Sequence, residues 1–156
     1  MRLYAVASAT LARMAIEAAL RGDGFRLLLL VQGYERPDIG SGEDANWLTA
    51  EVELTVGTYG TYQARQRASL YAPDLASFAR DLQVLDRDLT GRAELRHLED
   101  EIAATVTLDA GKGTLEGYVR EHIAAKLSFR EIRTDQTYVR EAREHFDALV
   151  AAFPPR

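Results

Sequence analysis

A chain of 156 residues, 47% apolar and 28% charged, has the composition of one ordinary globular domain, large enough to fold without a metal or a disulfide. The absence of cysteine excludes disulfides, thiolate catalysis, Cys-ligated zinc and iron–sulfur clusters, and it suits the reducing cytoplasm. The net charge of -5 reads against nucleic-acid binding, which needs a lysine and arginine excess, and no run nears the ~20 apolar residues that span a membrane.

The chain opens on MRLYAVASATLARMA, which superficially resembles a secretory signal, but its apolar stretch is weak and interrupted by Ser8 and Thr10. The next residues allow two readings. Ala-rich ATLARMAIEAALRG is made of good helix formers with Gly22 as a cap. Alternatively MAIEAAL and FRLLLLVQGY are two strands joined by RGDG, a turn whose chemistry suits a hairpin. Phe25 to Val31, short and bounded by turn residues, reads as a buried strand.

From Leu48 to Val56 apolar and polar residues alternate, the period of a half-buried strand. GTYGT, Gly57 to Thr61, turns the chain, and the return strand carries Arg65 and Arg67. A turn centred on Tyr59 sets Glu51 opposite Arg67 and Glu53 opposite Arg65, so charge pairing and apolar face agree on one register. Leu75, Phe78, Ala79, Leu82, Leu85 and Leu89 then recur at helical spacing after Pro73, which predicts an amphipathic helix ended by Gly91. Alternation returns from Glu94, runs through Ile102 to Leu108, turns at DAGKG and continues through Val119, with KLSFREI as one more strand. Thr134 or Asp135 can cap a last helix with Val139, Ala142, Phe146, Leu149 and Phe153 on its apolar stripe, stopped by Pro154 and Pro155.

Strands, helix, strands, helix, without recurring βαβ crossovers, predict an α+β fold: a curved antiparallel sheet of about six to seven strands packed with two amphipathic helices. No repeat, low-complexity segment or linker stands out.

The motif search is mostly negative. AGKGT lacks the Gly and the Ser/Thr that a phosphate loop requires, since position 106 is Val and position 113 is Gly, so it reads as a hairpin turn. Counting from Asp38, the acids of the first long loop miss the ligand positions of a calcium loop, and solvated loop acids are the commoner reading. His97, His122 and His145 show no zinc spacing, and no serine sits in a nucleophile-elbow setting. His97 is predicted on a strand and His145 on the polar side of the last helix, each a satisfied or solvated side chain. Paired acids such as Glu99 and Glu101 lie on charged surface runs. Trp47 and the tyrosines read as packing residues rather than a stacking platform. No catalytic residue, metal or cofactor is assigned.

The long loop GYERPDIGSGEDANWL, Gly33 to Leu48, is the most distinctive stretch. Its glycines permit unusual backbone angles, Pro37 fixes one turn, and Asp44 or Asn46 can bond nearby backbone, with Trp47 expected as a mostly buried anchor. Gly33, Tyr34, Pro37 and Asp38, followed by Asp44, Asn46, Trp47 and Leu48, resemble the signature of WapI-like immunity proteins of bacterial polymorphic-toxin systems. TDQTYVREAREHFDALVAAFP is the second match: Asp135, Gln136, Thr137 and Tyr138 open a helix that ends at Phe153 and Pro154. The resemblance covers roughly residues 14–154. It favours the hairpin reading of the first segment and leaves residues 1–13 as an extension or the product of a misplaced start, before a single domain over 14–156.

The resemblance implies a non-enzymatic, cytoplasmic protein that neutralises a cognate protein toxin by binding it. The long loop is either purely structural or also a partner contact, since loops on rigid sheets often carry binding. In the second case Glu35, Asp38, Glu43, Asp44 and Asn46 are the candidate contacts, while Tyr34, Trp47, Asp135 and Tyr138 anchor the fold. The alternative is a small enzyme or ligand-binding domain with a pocket on the concave face of the sheet. A homo-oligomer is compatible with either.

Overall fold

Two hairpin-built sheets, each followed by a helix, account for the described residues. The computed structural model describes residues 15–156, so the expectations about residues 1–13 lie outside the described residues. The elements are β1 (Ile16–Gly22), β2 (Phe25–Tyr34), β3 (Trp47–Val56), β4 (Tyr62–Tyr71), α1 (Ala72–Asp88), β5 (Gly91–Arg96), β6 (Ile102–Asp109), β7 (Lys112–Glu121), β8 (Ala125–Asp135) and α2 (Gln136–Ala152). A short 3-10 turn, Glu43–Asn46, precedes β3. The strands form two antiparallel four-stranded sheets in simple sequence order, β1 to β4 and β5 to β8. The fold is α+β, as expected, and the described residues hold eight strands, close to the six to seven expected, arranged in two sheets.

The arrangement ββββα therefore occurs twice, although the two halves show no sequence repeat. The same topology is met by different side chains because a period-two pattern and a hairpin turn specify only which face is apolar. Strand β5 begins at Gly91, before the alternation expected from Glu94, and Ala93 and Leu95 are its buried residues.

The Ala-rich segment is a strand. Gly22 pairs Phe25 and Ile16 pairs Val31 across a hairpin, and Ala18, Ala19 and Leu20 are all buried. Pairing with the leucines of β2 outweighs the helix propensity of alanine, which is worth only a fraction of a kcal/mol per residue. In the next hairpin the register is the one expected, with Glu51 opposite Arg67 and Glu53 opposite Arg65. The ion pairs differ: Arg65 reaches diagonally to Glu51 and also lies 3.4 Å from Glu53, and among the described residues Arg67 forms none.

The inner faces of both sheets carry one continuous core, including Leu27, Leu29, Val52 and Leu54 of the first sheet and Ile102, Val106, Leu115 and Val119 of the second. The sheets meet where β1 touches β8. The Asp23 amide donates to the Arg133 carbonyl at 2.9 Å, and the Thr134 hydroxyl donates to the Arg21 carbonyl at 3.1 Å. A Cβ on Gly22 would fall 2.6 Å from that Arg133 oxygen, so only glycine allows this approach. Phe25 and Phe129 pack across the same seam with ring centres 4.5 Å apart.

The helices pack on each other and on the edge strands β1 and β5. Phe78 meets Phe146 edge to face at 4.9 Å, and Asp86 is gripped by Arg140 and Arg143. Helix α1 ends at Leu89, which takes the left-handed conformation with φ 57° and donates to the Leu85 carbonyl; Gly91 instead opens β5. Asp135 is the N-cap of α2, accepting from the amides of Thr137 and Tyr138, whereas the Thr134 hydroxyl is used at the sheet seam.

Candidate functional site

Alternating strand directions send the β2–β3 loop, the start of α1, the β5–β6 turn, the β7–β8 turn and the residues after α2 to one end of the molecule. Hydrogen bonds join these segments. The Leu98 amide donates to Asp74 at 3.0 Å, the Arg120 amide donates to the Glu101 carbonyl at 2.8 Å, and the Ser69 hydroxyl donates to Glu35.

The long loop is fastened to the chain's last residues. The Tyr34 hydroxyl donates to the Pro154 carbonyl at 2.5 Å, its ring meets Phe153 edge to face, and the Arg156 guanidinium lies 3.5 Å over that ring. Asn46 is buried, contrary to the expectation that it faces a partner. Its side-chain amide donates to the Gly42 and Arg156 carbonyls at 2.8 and 3.0 Å, and its oxygen accepts from the Arg156 amide at 2.7 Å. All of its polar atoms serve the loop.

Glu35, Asp38, Glu43 and Asp44 are exposed. Glu35 accepts from Ser69, and Asp38 is paired with Arg36 at 3.0 Å, which holds its carboxyl below the ordinary range through the hydrogen bond from that guanidinium. Glu43 and Asp44 occupy the first turn of the 3-10 segment and make no ion pair among the described residues. The four acids share the loop but do not converge as a calcium loop would.

Trp47 is half-buried rather than mostly buried. Its ring packs on Tyr71 at 5.0 Å and stands edge-on to His97 at 6.2 Å. His97 follows β5 directly and is buried, and neither ring nitrogen has a hydrogen-bond partner, so it is neither solvated nor satisfied. Burial lowers its pKa, partly offset by the nearby Asp74 and Glu99. Glu101 beside it is pushed up, chiefly by burial, and its Oε2 also lacks a partner. Arg120 binds Asp100 at 2.9 Å through Nη2, while its buried Nε has none. His145 is half-buried and satisfied: its Nδ1 accepts from the Ala19 amide at 3.3 Å, on the edge of β1. His122 lies in the exposed β7–β8 turn with φ 42°. The three histidines thus sit in separate surroundings, and among the described residues no three His, Asp or Glu side chains are grouped as metal ligands would be.

The inner faces of the sheets carry the core. An open depression of about 600 Å³ lies on the opposite face of the second sheet, lined by Arg96, Thr105, Glu116, Tyr118 and Arg130 among others.

The chain matches the model of the immunity protein WapI-like family over residues 19–154. It belongs to the WapI-like immunity protein family. No curated protein and no solved structure matches it. The family match spans both ββββα units, from the middle of β1 to the residue that accepts from Tyr34, so the long loop and its fastening lie inside the shared region. No helix among the described residues of this WapI-like chain is long and apolar enough to cross a membrane.

Two exposed residues at this end were not singled out from the sequence. Leu98 is 57% exposed in the β5–β6 turn, and Ile123 is 100% exposed in the β7–β8 turn. Their signal was partly legible: Leu98 stands before three acids in HLEDE, whereas Ile123 in EHIA has one acid near it.

Proposed function

We propose that this chain is a non-enzymatic binding protein of the bacterial cytoplasm that neutralises a cognate toxin by direct contact. The family match over residues 19–154 carries the reading. The protein partner is a toxin, as an immunity role implies, and the contacts lie at the loop-bearing end, where Glu35, Asp38, Glu43 and Asp44 are exposed. Loops held by a rigid sheet are well suited to this role. Tyr34, Trp47, Asp135 and Tyr138 hold the framework beneath.

The test is co-expression with the product of the gene that adjoins its own, once that product is shown to be toxic alone. The expected result is restored growth and a complex of the two chains on gel filtration. Continued toxicity with no complex, while this chain is folded and abundant, overturns the reading.

A further inference from the structure

We propose that the turns Leu98–Glu101 and Glu121–Ala124 form the surface that docks a basic protein partner, with Leu98 and Ile123 as its apolar anchors. The inference rests on the toxin-binding reading and locates it. The β5–β6 and β7–β8 hairpins emerge side by side, because β6 pairs with β7 and the Arg120 amide extends that ladder to the Glu101 carbonyl at 2.8 Å. Each turn holds one large aliphatic side chain in solvent, Leu98 at 57% and Ile123 at 100% exposure. Exposed apolar side chains ringed by polar ones are the arrangement of a protein interface, with anchors at the centre and a charged rim.

The turns carry acids: Glu99, Asp100, Glu101 and Glu121 lie in them. Arg120 beside them pairs with Asp100, which leaves the exposed Glu99 and Glu121 without an ion pair among the described residues. The acids of the long loop lie at the same end of the molecule. Such a field steers and orients a cationic partner, and it repels an acidic one.

A second observation points to the same place. Among the described residues, the buried side-chain polar atoms without a hydrogen-bond partner are the two ring nitrogens of His97, Oε2 of Glu101 and Nε of Arg120. All lie at the roots of these turns, where a folded chain would ordinarily satisfy them. A lysine or arginine entering between the turns donates to Oε2 of Glu101, which has no hydrogen-bond partner within this chain. The opposite end of the molecule differs. Tyr59 and Tyr62 are exposed there, but the hollow beside them has Asp23 as its one charged lining residue, and Asp23 is paired with Arg133.

The experiment titrates the full chain with the purified product of the gene that adjoins its own, in an inactivated form, by calorimetry at low and at elevated salt. Wild type is expected to bind, and to bind about tenfold more weakly in the higher salt. The pair Leu98→Ser with Ile123→Ser, and separately Glu99→Lys with Glu121→Lys, each weaken binding by about 100-fold or more, with unchanged circular dichroism and melting temperature. Tyr59→Ser with Tyr62→Ser leaves the affinity unchanged. If wild type binds and both turn pairs stay within about threefold of it, or the tyrosine pair alone abolishes binding, the docking surface is elsewhere. If folded wild type does not bind at all, the toxin-binding reading itself fails and the surface assignment falls with it.

Discussion

The imidazole of His97 stands edge-on to the indole of Trp47, with ring centres 6.2 Å apart and ring planes at 82°. The contact joins the two ββββα units, since Trp47 begins β3 and His97 follows β5. It makes the junction sensitive to acid. Burial lowers the His97 pKa below the ordinary 6.5, against the opposing pull of the carboxylates of Asp74, Glu99 and Asp100. The unfolded chain therefore binds this proton more readily. The stability contributed is full above the ordinary value and is lost as pH falls through the lower folded value. Glu101 works in the other sense: its pKa is raised above 4.5, so its burial penalty grows as pH rises through that range. Urea midpoints of wild type and His97→Gln, compared between about pH 4 and 8, separate the two. The expected outcome is a shallower loss for the variant below the ordinary histidine range. Parallel curves would show that His97 does not titrate on unfolding.

Trp47→Ala should destabilise the fold by about 2–3 kcal/mol, less than a fully buried tryptophan, because the ring is half-buried against Tyr71 and His97. Urea denaturation followed by circular dichroism measures this, since the chain has one tryptophan and the variant has none. An unchanged midpoint together with lost partner binding would make Trp47 a contact residue instead of an anchor.

Gly22→Val should cost about 1–3 kcal/mol, as overpacking at a close backbone approach does. The new Cβ meets the Arg133 oxygen at 2.6 Å and the side chain of Ile132 at 2.9 Å. The predicted signature is faster hydrogen exchange at the Asp23 amide, whose bond to Arg133 closes the seam between the sheets. Exchange at wild-type rate would show that the seam accommodates the side chain.

Asp135→Ala should cost about 1 kcal/mol, because both amides that it caps lose their acceptor. Asp135→Asn keeps an oxygen in place and should recover most of that loss. Thermal melts of the two variants decide it: equal destabilisation would mean that charge rather than capping is the property in use.

The sequence by itself determined what depends on neighbours along the chain. Alternation from Leu48 to Leu70 set both the apolar face and the register of β3 on β4, because a one-residue slip would reverse every side chain. The spacing of Val139, Ala142, Phe146 and Leu149, with Asp135 before it, located α2 and its cap for the same local reason. The long loop was legible as a loop from its glycines and proline. That Arg65 rather than Arg67 binds Glu51 was not, since the ladder sets who stands opposite whom and side-chain reach sets who touches.

Tertiary structure alone decided the rest. Ala-rich Ile16–Gly22 is a strand because β2 supplies a ladder and a core that helix propensity does not outweigh. The joining of the two sheets depends on Gly22 meeting Arg133, a contact between segments far apart in the chain. Asn46 turned inward because Arg156 offers it both a donor and an acceptor. His97, Glu101 and Arg120 came to lie beside one another, and Leu98 beside Ile123's turn, because β6 pairs with β7. No local pattern encodes these meetings; they arise when distant segments are brought together to bury a shared core, and the polar groups at its margin take whatever neighbours that packing leaves them.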